Sequence, residues 1–329
     1  MRPVFILLIW STSFHAMSQS CDTGTLDPRV KANLERIGDL KPKLNKISIE
    51  QVKQDNLDND ELYPAADVVL VKTSADSIPV YVFNASHDKN LPVILYFHPG
   101  GFVTPFLPFM KYDCWKMSKD HHAIVVAVDY RIAPEHKFPT AVNDAYTSFQ
   151  WLLTHGHIYG GNVDQLIVAG MSAGANLSAV VSQRAKQNGL GTKIKLQILN
   201  CPSVDNVHHQ VNYPSYRKYA SGYFQTREFM VFAQNTYGNE NDFNNPDFSP
   251  LLAESFQGLP PTVMFTAEFD VLKDEEMAYL KRLQEAGVKV WHHCFAGQIH
   301  CLVGLPAEAK EFDILNDIIS GAMAAVLGK

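Results

Sequence analysis

The sequence predicts an α/β fold: a mostly parallel, eight-stranded central sheet with helices on both faces and a small helical cap. Three observations predict it. Continuous apolar runs alternate with segments of helical period along most of the chain. One run-to-helix junction carries Gly170-Met171-Ser172-Ala173-Gly174, a turn of small residues. The alternation breaks once, over 204–250, where Asn, Tyr, His and Asp dominate.

The elements follow in order. Arg2 precedes the apolar run Val4-Phe5-Ile6-Leu7-Leu8-Ile9-Trp10, which is too short to span a bilayer. Ala16-Met17-Ser18 then reads as a cleavage site, so 1–18 is expected to be a secretory signal and the mature chain to be secreted or periplasmic, with no transmembrane segment. Cys21 follows closely, but Ser18-Gln19-Ser20 lacks the leucine of a lipobox. Residues 19–62 are rich in charge and leucine, with helical spacing at Val30, Leu34, Ile37 and Leu40, and form an N-terminal cap segment. The α/β domain proper takes 63–329. Its first two runs, 67–73 and 80–84, read as a hairpin, with Pro79 ahead of the second strand. The runs 92–98, 123–129, 165–171, 194–200, 262–267 and 288–295 are apolar on both faces, as covered parallel strands are. Helical periods occupy 141–153, 173–187, 275–286 and 307–327. The break at about 204–250, with a helical patch at 227–234, is a cap insertion beside the strand ends.

Composition narrows the function classes. The chain has 329 residues, 46% of them hydrophobic, enough for a large core without structural metals. Its formal net charge is −6 and no basic run interrupts it, which argues against nucleic acid as a partner. Five cysteines leave at least one free or paired between chains. Cys294 and Cys301 lie close in sequence and are either bridged or two buried thiols.

The chemistry centres on Ser172. A serine on a sharp strand-to-helix turn needs small neighbours, because strand and helix approach closely there. The turn exposes the hydroxyl and aims a helix N-terminus at the reacting centre. A hydroxyl is a weak nucleophile without a base, and the base needs an orienting acid. With chain order serine, acid, histidine, Asp270 is the acid, just past the run that begins at Thr262, and His300 is the base, after the last strand. Glu268, Asp274 and Glu275 compete for the acid role, with solvated charge or helix capping as their alternative. His292 and His293 compete for the base but lie inside a strand. His98-Pro99-Gly100-Gly101 follows another core strand. Pro99 has no N–H, so the oxyanion donors are Gly100 and Gly101, completed by Ala173.

These motifs resemble the hormone-sensitive lipase family of esterases, over nearly the whole chain after the signal. Leu26-Asp27-Pro28-Arg29-Val30 is similar to the family's cap start, and His98-Pro99-Gly100-Gly101-Phe102 to its H-G-G-G segment. The stretch from Asp129-Tyr130-Arg131 through Ala133-Pro134-Glu135-His136 to Phe138-Pro139 is nearly its D-Y-R-L-A-P-E-H-x-F-P signature. Ala267-Glu268-Phe269-Asp270 resembles its acid segment, and Gly297-Gln298-Ile299-His300 its last motif. The chain departs from the pattern at Pro99, Met171, Ala175 and Cys301. The resemblance implies an α/β-hydrolase fold, structural roles for Asp129, Arg131 and Glu135, and hydrolysis of short-to-medium acyl esters through an acyl-enzyme. Small-molecule ester and water are the expected partners, and no metal or organic cofactor is required. Phe102, Phe106, Tyr223 and Phe224 are candidate pocket residues, each equally able to be plain core. An amidase or deacetylase shares the same machinery. A non-catalytic binding protein on the same scaffold is the reading from another class, disfavoured because Ser172, Asp270 and His300 are all present.

Overall fold

The computed structural model describes residues 21–39, 66–73, 76–206 and 213–328. The expected signal segment, and the cap segment beyond residue 39, lie outside the described residues.

Eight strands form one sheet in the order β1-β2-β4-β3-β5-β6-β7-β8. The strands are β1 (Asp67–Lys72), β2 (Ser77–Phe83), β3 (Leu91–Phe97), β4 (Ile124–Val128), β5 (Gly161–Met171), β6 (Ile194–Asn200), β7 (Thr262–Phe269) and β8 (Val290–Ile299). β1 and β2 pair antiparallel, as do β2 and β4; every pairing from β4 onward is parallel. All residues of β3, β4 and β7 are buried. Their continuous apolar sequences reflect cover on both faces. β1 is an edge strand and exposes Val68 and Leu70.

The helices that frame the sheet are α1 (Pro28–Ile37), α2 (Pro108–Asp120), α3 (Thr140–His155), α4 (Ala173–Gln187), α5 (Arg227–Tyr237), α6 (Lys273–Glu285) and α7 (Lys310–Leu327). Two large apolar clusters lie on opposite faces. One joins the sheet to α3 and α4 through Phe149, Leu152, Leu177 and Val180. The other joins it to α2 and α7 through Met110, Cys114, Ile319 and Met323.

Three local expectations change. α2 has no counterpart among the expected helical segments; Pro108 opens it at a first-turn position where a missing N–H costs nothing. β8 does not end at Phe295 but continues to Ile299, passing through Gly297 at φ 73°. Pro79 lies inside β2, paired with Leu70, rather than ahead of it.

The pairing of Cys294 is also corrected. It is bridged to Cys21, 273 positions away, and Cys301 is a free buried thiol. The bridge fastens the N-terminal segment to β8, and Glu268 fastens it again. The Glu268 carboxylate accepts hydrogen bonds from Thr23 Oγ1 at 2.7 Å, the Gly24 N–H at 2.7 Å and the Gly297 N–H at 2.8 Å. Among the described residues no helix is long and apolar enough to cross a membrane.

Candidate active site

Ser172 stands between β5 and α4 with φ 55° and ψ −118°, a conformation L-residues rarely adopt. The flanking glycines explain how the turn is possible. A Cβ on Gly170 would lie 2.2 Å from the Gly174 carbonyl oxygen, and a Cβ on Gly174 would lie 1.9 Å from that of Phe97. Any larger residue at either position would push α4 off the sheet. The Ser172 N–H donates to the Asn200 carbonyl at 2.8 Å, which ties the turn to the end of β6.

The three residues expected to act together meet at the C-terminal edge of the sheet. The Ser172 Oγ is 2.9 Å from His300 Nε2, and His300 Nδ1 is 2.5 Å from Asp270 Oδ2. The other Asp270 oxygen, Oδ1, accepts the Leu272 N–H at 2.9 Å, which fixes the carboxylate plane. All three side chains are buried. Burial opposes a charge on His300, but the Asp270 carboxylate prevails and raises the imidazole pKa above its ordinary value.

The competing residues have other partners. Glu268 holds the N-terminal segment, as above. Asp274 accepts the Ser215 N–H at 2.7 Å. Glu275 accepts the Val204 N–H at 2.7 Å and the Asp205 N–H at 3.2 Å, which anchors the chain leaving β6. His292 and His293 lie within β8, and His292 Nε2 sits 3.0 Å from Thr266 Oγ1.

Gly100 and Gly101 form the turn after β3, at φ 130° and 61°. The turn is closed by the Val103 and Thr104 N–H groups, which donate to the Gly100 carbonyl at 3.1 and 3.0 Å. Among the described residues, the N–H groups of Gly100, Gly101 and Ala173 donate to no protein acceptor. Gly101 faces α5: a Cβ there would meet the Ala233 Cβ at 3.0 Å. His98 is buried, stacks on Tyr130 with ring centroids 4.1 Å apart, and places Nδ1 2.8 Å from the Pro99 carbonyl oxygen. Burial drops its pKa to about 4, so it stays neutral and acts as a spacer for the turn. Arg131, in the segment expected to be structural, grips Asp144 with Nε at 2.9 Å and Nη2 at 2.6 Å.

A cavity of about 330 Å³, part of it open to solvent, lies over Ser172 and is walled by residues of α5 and the 203–206 segment. Of the four aromatics expected at the pocket, Phe102 lines this cavity, stacked on Tyr237 with centroids 4.0 Å apart. Phe106 does not. It is buried in the core with Tyr81 and His98. Tyr223 and Phe224 also stand elsewhere: they pack against Val30, Phe269 and Ile299, and Tyr223 borders a separate open groove beside α1. The walls that sequence reading missed are Met230 and Ala233, with Gln225 and Gln234 supplying amides. The helical period of 227–234 was visible, but which of its faces turned toward Ser172 was not.

Two further groups near the site carried no motif. Cys201 directly follows β6 and accepts the Cys301 N–H at 3.3 Å. Glu276 on α6 is fully buried, and neither carboxylate oxygen has a hydrogen-bond partner among the described residues. Burial, with Cys201 and Asp270 nearby, pushes its pKa well above the usual carboxyl range, which favours the protonated form.

Comparison with known proteins agrees with this architecture. Residues 94–304 match the family described as the alpha/beta hydrolase fold. An arylesterase of Saccharolobus solfataricus is 31% identical over 251 residues, 74% of this chain and 79% of the relative. An ethyl acetate hydrolase of Pseudomonas putida is 30% identical, over 75% of this chain and 78% of its own. A hyperthermophilic esterase from the archaeon Pyrobaculum calidifontis superposes with a TM-score of 0.81 at 29% identity, covering 92% of this chain and 99% of that one. With a serine–histidine–aspartate chain at the strand-to-helix turn, this protein belongs to the α/β-hydrolase fold family and is a carboxylic ester hydrolase of the serine-esterase type.

Proposed function

We propose that Ser172 is the nucleophile, His300 the general base and acid, and Asp270 the residue that orients His300, in an esterase of the hormone-sensitive lipase branch acting on short-to-medium acyl esters. The observation that carries this reading is the unbroken hydrogen-bond chain from Ser172 Oγ through His300 to Asp270. Ser172 attacks the ester carbonyl as His300 Nε2 takes its proton. Asp270 keeps the Nδ1 tautomer and stabilises the imidazolium. The developing oxyanion is received by the N–H groups of Gly100, Gly101 and Ala173, whose freedom from protein acceptors leaves them available. His300 then protonates the leaving alcohol, and water attacks the acyl-enzyme in the second half of the cycle.

The confined lining supports the chain-length preference: Phe102, Met230, Ala233 and Tyr237 crowd the space over Ser172. One relative is named for hydrolysis of ethyl acetate, a short acyl ester. The excursion at about 204–250 is the cap that closes this space, with Met230, Ala233 and Tyr237 on its inner face. Export is part of the same reading and rests on the apolar N-terminal segment and its cleavage site.

A panel of p-nitrophenyl esters of increasing acyl length, with an anilide of the best acyl group, tests substrate and bond type together. The expected result is a maximum at short-to-medium chains and a far lower anilide rate. A maximum at long chains refutes the length assignment, and a faster anilide makes the enzyme an amidase. Ser172→Ala should lower turnover by about 10⁴–10⁶ while the fold persists. A folded variant turning over at the native rate refutes the nucleophile. Mass determination of the mature N-terminus tests export, and retention of Met1 refutes it.

A further inference from the structure

Beside the catalytic histidine are two thiols that ester hydrolysis does not use. Cys201 leaves β6 and Cys301 follows His300, so the sheet edge brings together residues 100 positions apart. Both are buried, at 2% and 7% exposure. The two Sγ atoms and a ring nitrogen of His300 lie within 4.8 Å of one another. A second cluster with the same limit joins Cys201 and His300 to an oxygen of Asp270 and one of Glu276. The Glu276 carboxyl has no hydrogen-bond partner of its own among the described residues. Cys114, the remaining free cysteine, is packed in the apolar core around α2.

Sulfur, imidazole and carboxylate together are the donor set of a borderline-to-soft divalent ion. Tetrahedral bonds of about 2.0–2.3 Å separate donors by about 3.3–3.8 Å, so donors within 4.8 Å of one another need to close by at most about 1–1.5 Å. Two thiolates would neutralise a divalent charge, which a site closed to water requires.

We propose that Cys201, Cys301 and His300 form a three-donor binding site for a thiophilic divalent cation of the zinc and cadmium class, and that its occupancy turns the esterase off. Binding exchanges two thiol protons for the ion and involves no oxidation. Each thiol gives up its proton to solvent and each sulfur donates a lone pair, as does His300. Because each thiol must lose its proton to bind, affinity increases with pH. The titratable groups facing the thiols are Asp270, Glu276, His300 and Tyr96. Both ring nitrogens of His300 already serve the hydrogen-bond chain, so a metal on either breaks one of its links. Inhibition rests on the role given to His300 above; binding itself does not.

The test uses metal-free protein titrated with Cd²⁺, following the ultraviolet thiolate-to-cadmium charge-transfer band, metal bound at dialysis equilibrium, and hydrolysis rate. One Cd²⁺ per chain should bind, the band should appear, and the rate should fall at least about tenfold and recover with EDTA. Ser172→Ala should still bind Cd²⁺ with the same band, which keeps metal binding separable from the catalytic assignment. Cys201→Ala and Cys301→Ala should each lose the band and raise the half-inhibitory concentration at least about tenfold, measured against their own metal-free rates. Cys114→Ala should retain the band. The proposal is overturned if the wild type binds no Cd²⁺ or if inhibition is undiminished in the Cys201 and Cys301 variants. Titration of one thiol in place of three in fresh protein, the sign of a Cys201–Cys301 disulfide, also overturns it.

Discussion

Glu268→Ala separates what holds the catalytic site from what reacts in it. Glu268 lies two residues before Asp270, and its third donor, Gly297, lies three residues before His300. One buried carboxylate therefore joins the N-terminal segment to both strands that end at the site. The Asp27 N–H completes the clasp by donating to the Gly297 carbonyl at 2.9 Å. A hydrogen bond to a charged group contributes about 1.5–3 kcal/mol, and the Gly24 and Gly297 amides would both lose theirs. The Thr23 hydroxyl can turn toward water, so the two amides set the scale, at about 3–6 kcal/mol. At about 2 °C per kcal/mol for a chain of this size, Tm should fall by about 6–12 °C. Glu268→Gln should not restore it, because an amide offers one acceptor oxygen and sets its own N–H groups against those of the clasp. Thermal unfolding followed by circular dichroism, with kcat and KM on a short p-nitrophenyl ester, reads both effects. The reaction groups remain but are less well held, so kcat should fall more than KM rises. The pH dependence has a definite sign. Burial opposes the charge on Glu268, but the Gly297, Thr23 and Gly24 donors outweigh it and hold the pKa below its ordinary value. Its stabilisation is therefore complete above the unfolded carboxyl value of about 4.3 and is lost as pH falls through the folded value. A Glu268→Ala Tm within about 1 °C of wild type would refute this account of the clasp.

Three other outcomes are expected. Because Asp270 raises the His300 pKa, kcat/KM should begin to fall on acidification above about pH 6.5, the value of a free imidazole, and Asp270→Asn should cost about 10⁴ in kcat; a limb well below pH 6.5 contradicts that pairing. Gly174→Ala should yield inactive, poorly folded protein, since its Cβ would lie 1.9 Å from the Phe97 carbonyl oxygen; a soluble, fully active variant would show that the helix can retreat. Reducing the Cys21–Cys294 bridge should destabilise the chain by about 2–4 kcal/mol, and Cys21→Ala should have the same effect and make Tm insensitive to reductant; an unmoved Tm in both would remove the bridge from the folded state's support.

The parallel half of the sheet was legible because burial on both faces leaves a sequence no polar alternation. β6 and α4 begin and end where the apolar run and the helical period do. α2 was hidden for the opposite reason. Of its 13 residues only Met110, Lys111, Cys114 and Ser118 are buried, and charges interrupt any apolar stripe. β8 looked finished at Phe295 because Gly297 reads as a turn. In the structure that glycine passes through φ 73° while its N–H goes to Glu268, a contact no local pattern encodes. The Cys21–Cys294 pairing was illegible on the same ground: a partner 273 positions away leaves no trace in spacing, whereas the nearer Cys301 suggested itself.

The run Asp274-Glu275-Glu276 carries the limit further into the site. As sequence it is three acids at the start of a helix, where solvation or favourable interaction with the helix dipole explains them all. Successive helical positions point about 100° apart, so the structure sends each carboxyl to a different place. Asp274 meets Ser215, Glu275 meets the chain leaving β6, and Glu276 turns inward beside Asp270, His300 and Cys201. An ionised Glu276 would be a buried charge beside Asp270, and among the described residues neither of its oxygens has a donor to offset the loss of water. Burial therefore favours its protonated form, while the Leu272 N–H fixes one oxygen of Asp270 and His300 meets the other. The order serine–acid–histidine identifies Asp270 in the sequence. What sets Asp270 apart from an acid six residues later is contact: Asp270 meets His300, and among the described residues the Glu276 oxygens meet no donor, and only packing decides that.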